Sequence, residues 1–165
     1  MRKNFLTFGS PNIGEEEIAE VVDTLRSGWI GTGPKVGAFE KAFAAYVGAD
    51  YAVAVSSCTA ALHLSMMVSG VGPGDEVITT PNSFIASTAV IVHLGAKPVF
   101  IDVLDDQNMN PDLLENAITK KTKAIMPVHL TGRVCEMTKI MKIAHKYKIP
   151  VVEDAAQSVG SLYNN

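Results

Sequence analysis

Cysteine is scarce in this chain. Its 165 residues include two, Cys58 and Cys135. Neither stands in a CxxC pair or at a zinc-ligand spacing from histidine, so a zinc site is not expected and reduced cytosolic thiols are. No surplus of positive charge occurs either. Fourteen Lys and Arg face seventeen Asp and Glu, for a net charge of -3. That balance argues against nucleic acid as a partner. Long apolar runs are missing too. The most apolar window, Ile85 to Leu94, contains Ser87, Thr88 and His93 and is far too short to span a bilayer. Residues 1–14 lack the apolar core of a secretory signal. No GxxxxGK[ST] element is present, which excludes a nucleoside-triphosphate P-loop. With 47% hydrophobic and 19% charged residues, the composition is that of a soluble globular chain long enough for a real core.

The hydrophobic pattern alternates between two periods. Ile18, Val21, Val22 and Leu25 form a helical stripe over 14–27, opened by three glutamates that suit the positive end of a helix. A second stripe, Val36, Phe39, Phe43 and Val47, predicts a helix over 34–47 that Gly48 stops. Short apolar runs then predict strands at 51–56, 76–80, 97–102, 123–129 and 150–154. Helices are predicted between them at 58–69, 83–94, 111–118 and 136–147. Such alternation argues for an α/β fold, a mainly parallel sheet with helices on both faces. Neither a linker nor a repeat interrupts it.

Three places at strand ends carry chemistry, because ligands of open α/β sheets bind at the carboxyl edge. At Ser56-Ser57-Cys58-Thr59 a strand gives way at once to a helix. Free N–H groups there suit a phosphate, and the Ser57 and Thr59 hydroxyls can add to them; plain helix capping is the bland alternative. At Pro81 to Thr88, Phe84 could stack on a flat ring, or simply be core. At Val151 to Ser158, a buried strand ends in Glu153-Asp154, with Gln157 three residues on. A carboxylate buried there needs a partner. A cationic ring nitrogen, as in pyridoxal phosphate, is one; a helix cap or structural ion pair is another. Adjacent strand residues face opposite ways, which leaves Glu153 a structural role. His129 ends a strand at the same edge and is the one histidine of interest. Gly28 to Lys35 superficially has dinucleotide-loop spacing, but a helix precedes it, so the Rossmann reading fails.

Taken together, these stretches resemble the sugar-nucleotide aminotransferases of the DegT/StrS type, within the aspartate-aminotransferase fold. The likeness rests on Ser27 to Pro34, Val55 to Leu62, Gly74 to Thr79, Ala96 to Val103, Pro127 to Gly132 and Val152 to Gln157, and so covers nearly the whole chain. It implies a three-layer α/β/α large domain, of which residues 1–165 would be an incomplete N-terminal portion, with helices over 14–47 and β/α units over 50–165. It implies pyridoxal phosphate as cofactor. Ser57, Cys58 and Thr59 would hold its phosphate, Phe84 would stack on its ring, Asp154 would pair with the ring nitrogen and Gln157 would contact the ring hydroxyl. Gly31, Thr32 and His129 would lie on the substrate side. Cys58 stands where many members of the family carry Gly or Ala.

The reaction implied is amino transfer, from glutamate, to a nucleotide-linked keto sugar, with C-4 favoured over C-3 by the 29–34 segment. Cell-envelope polysaccharide or lipid A synthesis, a cytoplasmic homodimer and small-molecule partners follow from the same likeness. The Schiff-base lysine of the family would lie beyond Asn165, so the chain alone is expected to be inactive. Three other readings stay open: a dehydratase of the same fold, a remnant that has lost the chemistry, and a nicotinamide-dependent oxidoreductase, which the missing fingerprint disfavours.

Overall fold

The computed structural model describes residues 9–164 and divides the chain into two compact units, at 54/55. The first unit contains α1 (Glu15–Ser27) and α2 (Pro34–Val47). Both begin and end as the sequence predicts, to within a residue. The Glu17 carboxylate accepts the Gly14 N–H at 2.6 Å, which satisfies one of the free donors at the start of α1 and lowers the Glu17 pKa. Gly28 and Gly48 close the two helices in the left-handed conformation. Lys35 ties the helices together through Glu20 at 2.5 Å and Asp23 at 2.8 Å. In the turn between them the Trp29 indole N–H donates to the Thr32 carbonyl at 2.8 Å. A Cβ on Gly33 would stand 2.1 Å from the Trp29 ring. Gly33 therefore makes room for that tryptophan.

One expectation fails in this unit. Residues 51–56, expected as a strand, form none, and Tyr51 and Val53 are 88% and 79% exposed. A strand needs a neighbour to take its hydrogen bonds, and none pairs with this segment among the described residues. Instead the Ala54 N–H donates to the Glu40 carboxylate at 2.8 Å.

The second unit carries α3 (Cys58–Val68), β1 (Glu76–Thr79), α4 (Ile85–His93), β2 (Lys97–Phe100), α5 (Leu114–Ala117), β3 (Thr122–Ile125) and α6 (Met137–Tyr147). A short 3-10 turn at Pro111–Leu113 leads into α5, so the helix predicted over 111–118 is two joined pieces. The strands are parallel in the order β2-β1-β3. The predicted strand at 150–154 is present as a line of bridges against β3 and the residues after it. Val151 pairs with Ile125 and Asp154 with Val128, both parallel. Backbone bonds from Val152 to Ile125 (2.9 Å) and from Asp154 to Pro127 (2.9 Å) hold it in register.

Alternation along these strands builds two cores. Val77, Ala124 and Val152 pack on one side with Leu62 and Met66 of α3 and Val90 and Ile91 of α4. Ile78, Ile125 and Val151 pack on the other with Leu114 of α5 and Ile140 and Ala144 of α6. The sheet thus lies between two helical layers, the α/β architecture expected. Ile78 sits on the central strand and is fully buried. We expect Ile78→Ala to cost about 2–5 kcal/mol in urea unfolding of this unit. A loss under about 1 kcal/mol would contradict its placement.

Candidate active site

The strand order places the site. The chain runs from β1 out to β2, then returns to lay β3 on the other side of β1. Such a reversal opens a crevice at the carboxyl ends of the strands. The residues that follow β1, β3 and the 150–154 segment meet there. A small cleft is lined by Ser83 and Phe84 after β1, Val128, His129 and Leu130 after β3, and Asp154, Ala156 and Gln157 after the last segment.

Strand alternation aims the acidic pair. Val152 faces the α3/α4 layer and Val151 the α5/α6 layer, so Asp154 follows Val152 and Glu153 follows Val151. Asp154 is 6% exposed. Its Oδ2 accepts the Ser87 hydroxyl at 2.7 Å and its Oδ1 the Ala156 N–H at 3.3 Å. Among the described residues no side-chain cation pairs with it. A buried carboxylate is normally paired. This one faces a cleft instead, an arrangement suited to a cationic ligand.

Glu153, on the other side, accepts from His129 Nε2 at 2.7 Å. The Cys135 N–H points at His129 Nδ1 from 3.2 Å. Burial of this imidazole opposes its charge, while the Glu153 carboxylate favours it. The Cys135 thiol, however, is buried and donates to the Val128 carbonyl at 3.2 Å. A lone pair on Nδ1 must meet the Cys135 N–H, so this geometry is that of the neutral Nε2–H tautomer, and protonation requires that contact to break. Glu153 is engaged with His129 and does not line the cleft. His129 reaches the cleft with both nitrogens already engaged.

Gln157 is exposed at the cleft. Its Oε1 accepts the Thr131 N–H at 2.7 Å, which leaves the amide NH₂ available. Gly132 has φ 85°, and a Cβ there would sit 3.3 Å from the Gln157 carbonyl. Both the backbone conformation and the close approach select glycine at this point. Phe84 is 72% exposed at the cleft mouth and belongs to neither core among the described residues. Its backbone opens α4.

The phosphate candidates stand at the start of α3. Ser57 caps the helix by accepting the Ala60 N–H at 3.1 Å, so the capping role is real. Ser57 and Thr59 line a neighbouring groove with His63 and His93. Cys58 links the two places. Its exposed thiol is raised above its ordinary pKa by partial desolvation and then by the charge of Asp154. Asp154 thus lies within electrostatic reach of the α3 N-terminus. Gly31 and Thr32 belong to the first unit and are both exposed.

Sequence reasoning missed Ser87. Its signal was present: Ala86, Ser87, Val90 and Ile91 form the buried stripe of α4, and Ser87 is its one polar member.

The matching family model spans residues 11–165 and describes the DegT/DnrJ/EryC1/StrS aminotransferase family. This chain belongs to that family. It is 51% identical over 163 residues to the spore coat polysaccharide biosynthesis protein SpsC of Bacillus subtilis (strain 168), covering 98% of this chain and 42% of that protein. To the UDP-4-amino-4-deoxy-L-arabinose--oxoglutarate aminotransferase of Shewanella sediminis (strain HAW-EB3) it is 46% identical, covering 99% and 42%. Among solved structures, Spr1654 from Streptococcus pneumoniae in its PMP form superposes with a TM-score of 0.90 at 43% identity, over 94% of this chain and 43% of that one. The chain thus spans about two fifths of the length of these family members.

The link between Cys58 and Asp154 is testable. Asp154→Asn removes a negative charge near the thiol, so the pH profile for Cys58 alkylation by iodoacetamide is expected to move to lower pH. Buried Cys135 serves as the unreactive control. An unmoved profile would mean that the two groups are not close.

Proposed function

We propose that this chain forms the cofactor-holding part of a pyridoxal-phosphate-dependent aminotransferase. The reaction passes an amino group from glutamate to C-4 of a nucleotide-linked keto sugar. Asp154 carries the reading. It is a buried carboxylate without a cation among the described residues, at a cleft whose rim offers an aromatic face and an amide. Family membership supports the reaction class. The name of the Shewanella relative supports a 4-amino sugar, and the PMP form of the pneumococcal relative supports the cofactor. The name of the Bacillus relative supports a place in cell-envelope polysaccharide synthesis.

Each residue then has a task. The α3 N-terminus presents the free N–H groups of Cys58 and Thr59, and the Ser57 and Thr59 hydroxyls, to the phosphate. Phe84 covers one face of the ring. Gln157 donates its free amide hydrogens to the ring hydroxyl. Asp154 holds the proton on the ring nitrogen, because loss of that proton would strand a buried charge. The bound cofactor supplies an electron sink for the carbanion formed at the amino-donor carbon. His129, fixed by Glu153 and Cys135, shapes the cleft on the substrate side. Gly31 and Thr32 keep their substrate role on resemblance alone. On this reading residues 1–165 are the N-terminal portion of the large domain, and the working enzyme is a cytoplasmic homodimer.

Amino transfer also needs a lysine to hold and exchange the cofactor and to move a proton. Among the described residues, no lysine lines the cleft. Purified 1–165 is therefore expected to show no transaminase turnover. The native gene product, incubated with pyridoxal phosphate and reduced with borohydride, is expected to carry one adduct on a lysine beyond Asn165. A unique adduct on a lysine within 1–165 would overturn this placement of the site, and measurable turnover by 1–165 would overturn the need for that lysine.

A further inference from the structure

Ser87 is fully buried in α4 and 67 residues away in sequence from Asp154, yet its hydroxyl lies 2.7 Å from Asp154 Oδ2. Two other oxygens compete for this hydroxyl. The Phe84 carbonyl is 3.2 Å away, and Ser83 Oγ is 2.6 Å away. A hydroxyl has one hydrogen to give, and the short contact to a carboxylate is the stronger acceptor site. With the Ser87 proton committed to Asp154, Ser83 must be the donor in the Ser83–Ser87 contact. The order is therefore directional, Ser83 to Ser87 to Asp154.

We propose that Ser87, oriented by Ser83, is the positioning residue for Asp154. It fixes Oδ2 against α4 and so leaves Oδ1, whose remaining contact is the long Ala156 N–H, to face a cationic nitrogen in the cleft. The inference rests on the reading of the cleft as a pyridoxal-phosphate site and adds a residue to it. Without the hydroxyl, the carboxylate keeps its charge and burial but loses its anchor. Ser87 is fully buried, so bulk solvent does not reach the position to replace the anchor. The carboxylate then turns between rotamers, and its alignment with the ring is lost.

The test uses the native gene product with pyridoxamine phosphate, which binds without a lysine bond. Affinity is read by calorimetry, and protonation of the bound ring nitrogen by its absorption across pH. Ser87→Thr and Ser87→Val give side chains of equal shape, with and without the hydroxyl. The threonine variant is expected to keep the parent affinity. The valine variant is expected to bind about tenfold more weakly or worse, the worth of one charge-assisted hydrogen bond. Its ring nitrogen should also lose its proton at lower pH. Ser83→Ala is expected to shift the same two readouts in the same direction by less. Equal affinities and equal pH profiles for the threonine and valine variants would overturn the proposal. If Asp154→Asn still abolishes binding in that case, the cofactor reading stands without it. Parent protein that binds no pyridoxamine phosphate would overturn both.

Discussion

The alternation of side chains across the 150–154 segment is the constraint on which the site depends. Parallel pairing to the residues of and after β3 fixes its register. Once Val151 is committed to the α5/α6 core and Val152 to the α3/α4 core, the two acids that follow are committed as well. Asp154 must point toward the layer that holds Ser87 and the α3 N-terminus, and Glu153 toward His129. A slip of one residue would exchange the two carboxylates. Hydrophobic burial on both faces thus sets which acid meets the cleft, although neither acid contributes to that burial.

The surrounding polar contacts read as supports for this arrangement. Glu153 and the Cys135 N–H occupy both nitrogens of His129 and hold the loop after β3. The Gln157 side-chain Oε1 secures the turn at Thr131, and Gly132 lets that turn approach the Gln157 backbone closely. These bonds occupy the acceptor groups of the loops and leave the Gln157 amide hydrogens as donors at the cleft, while the start of α3 lines the neighbouring groove. Donors beside one buried carboxylate suit a ligand that is anionic at one end and cationic at the other.

Much of the architecture was legible in the residues. The helical stripes over 14–27, 34–47 and 136–147 and the short apolar runs at 76–80 and 97–102 correspond to elements found within a residue or two of those positions. They were legible because each pairs a clear period with a turn or cap. The run at 51–56 was not. Its apolar content suggested a strand, but a strand exists through its neighbour, and no local pattern records whether a neighbour is there. The site was legible in part for a similar reason. Asp154, Phe84 and Gln157 stand at strand ends and announce themselves, whereas Ser87 lies inside an apolar helix stripe and gains meaning from a residue far along the chain.

The sequence by itself determined the alternation of helix and strand, the presence of an acid at a strand's carboxyl end, and membership of a family through motifs spread along nearly the whole chain. Those features are local, written in hydrophobic period, caps and short residue strings. Tertiary structure alone decided that Asp154 has no cation among the described residues, that Ser87 anchors it, that His129 is engaged at both nitrogens, and that the 51–56 run is not a strand. Each of these depends on which distant segments come together, and contacts between segments far apart in the chain leave no periodic trace in either one.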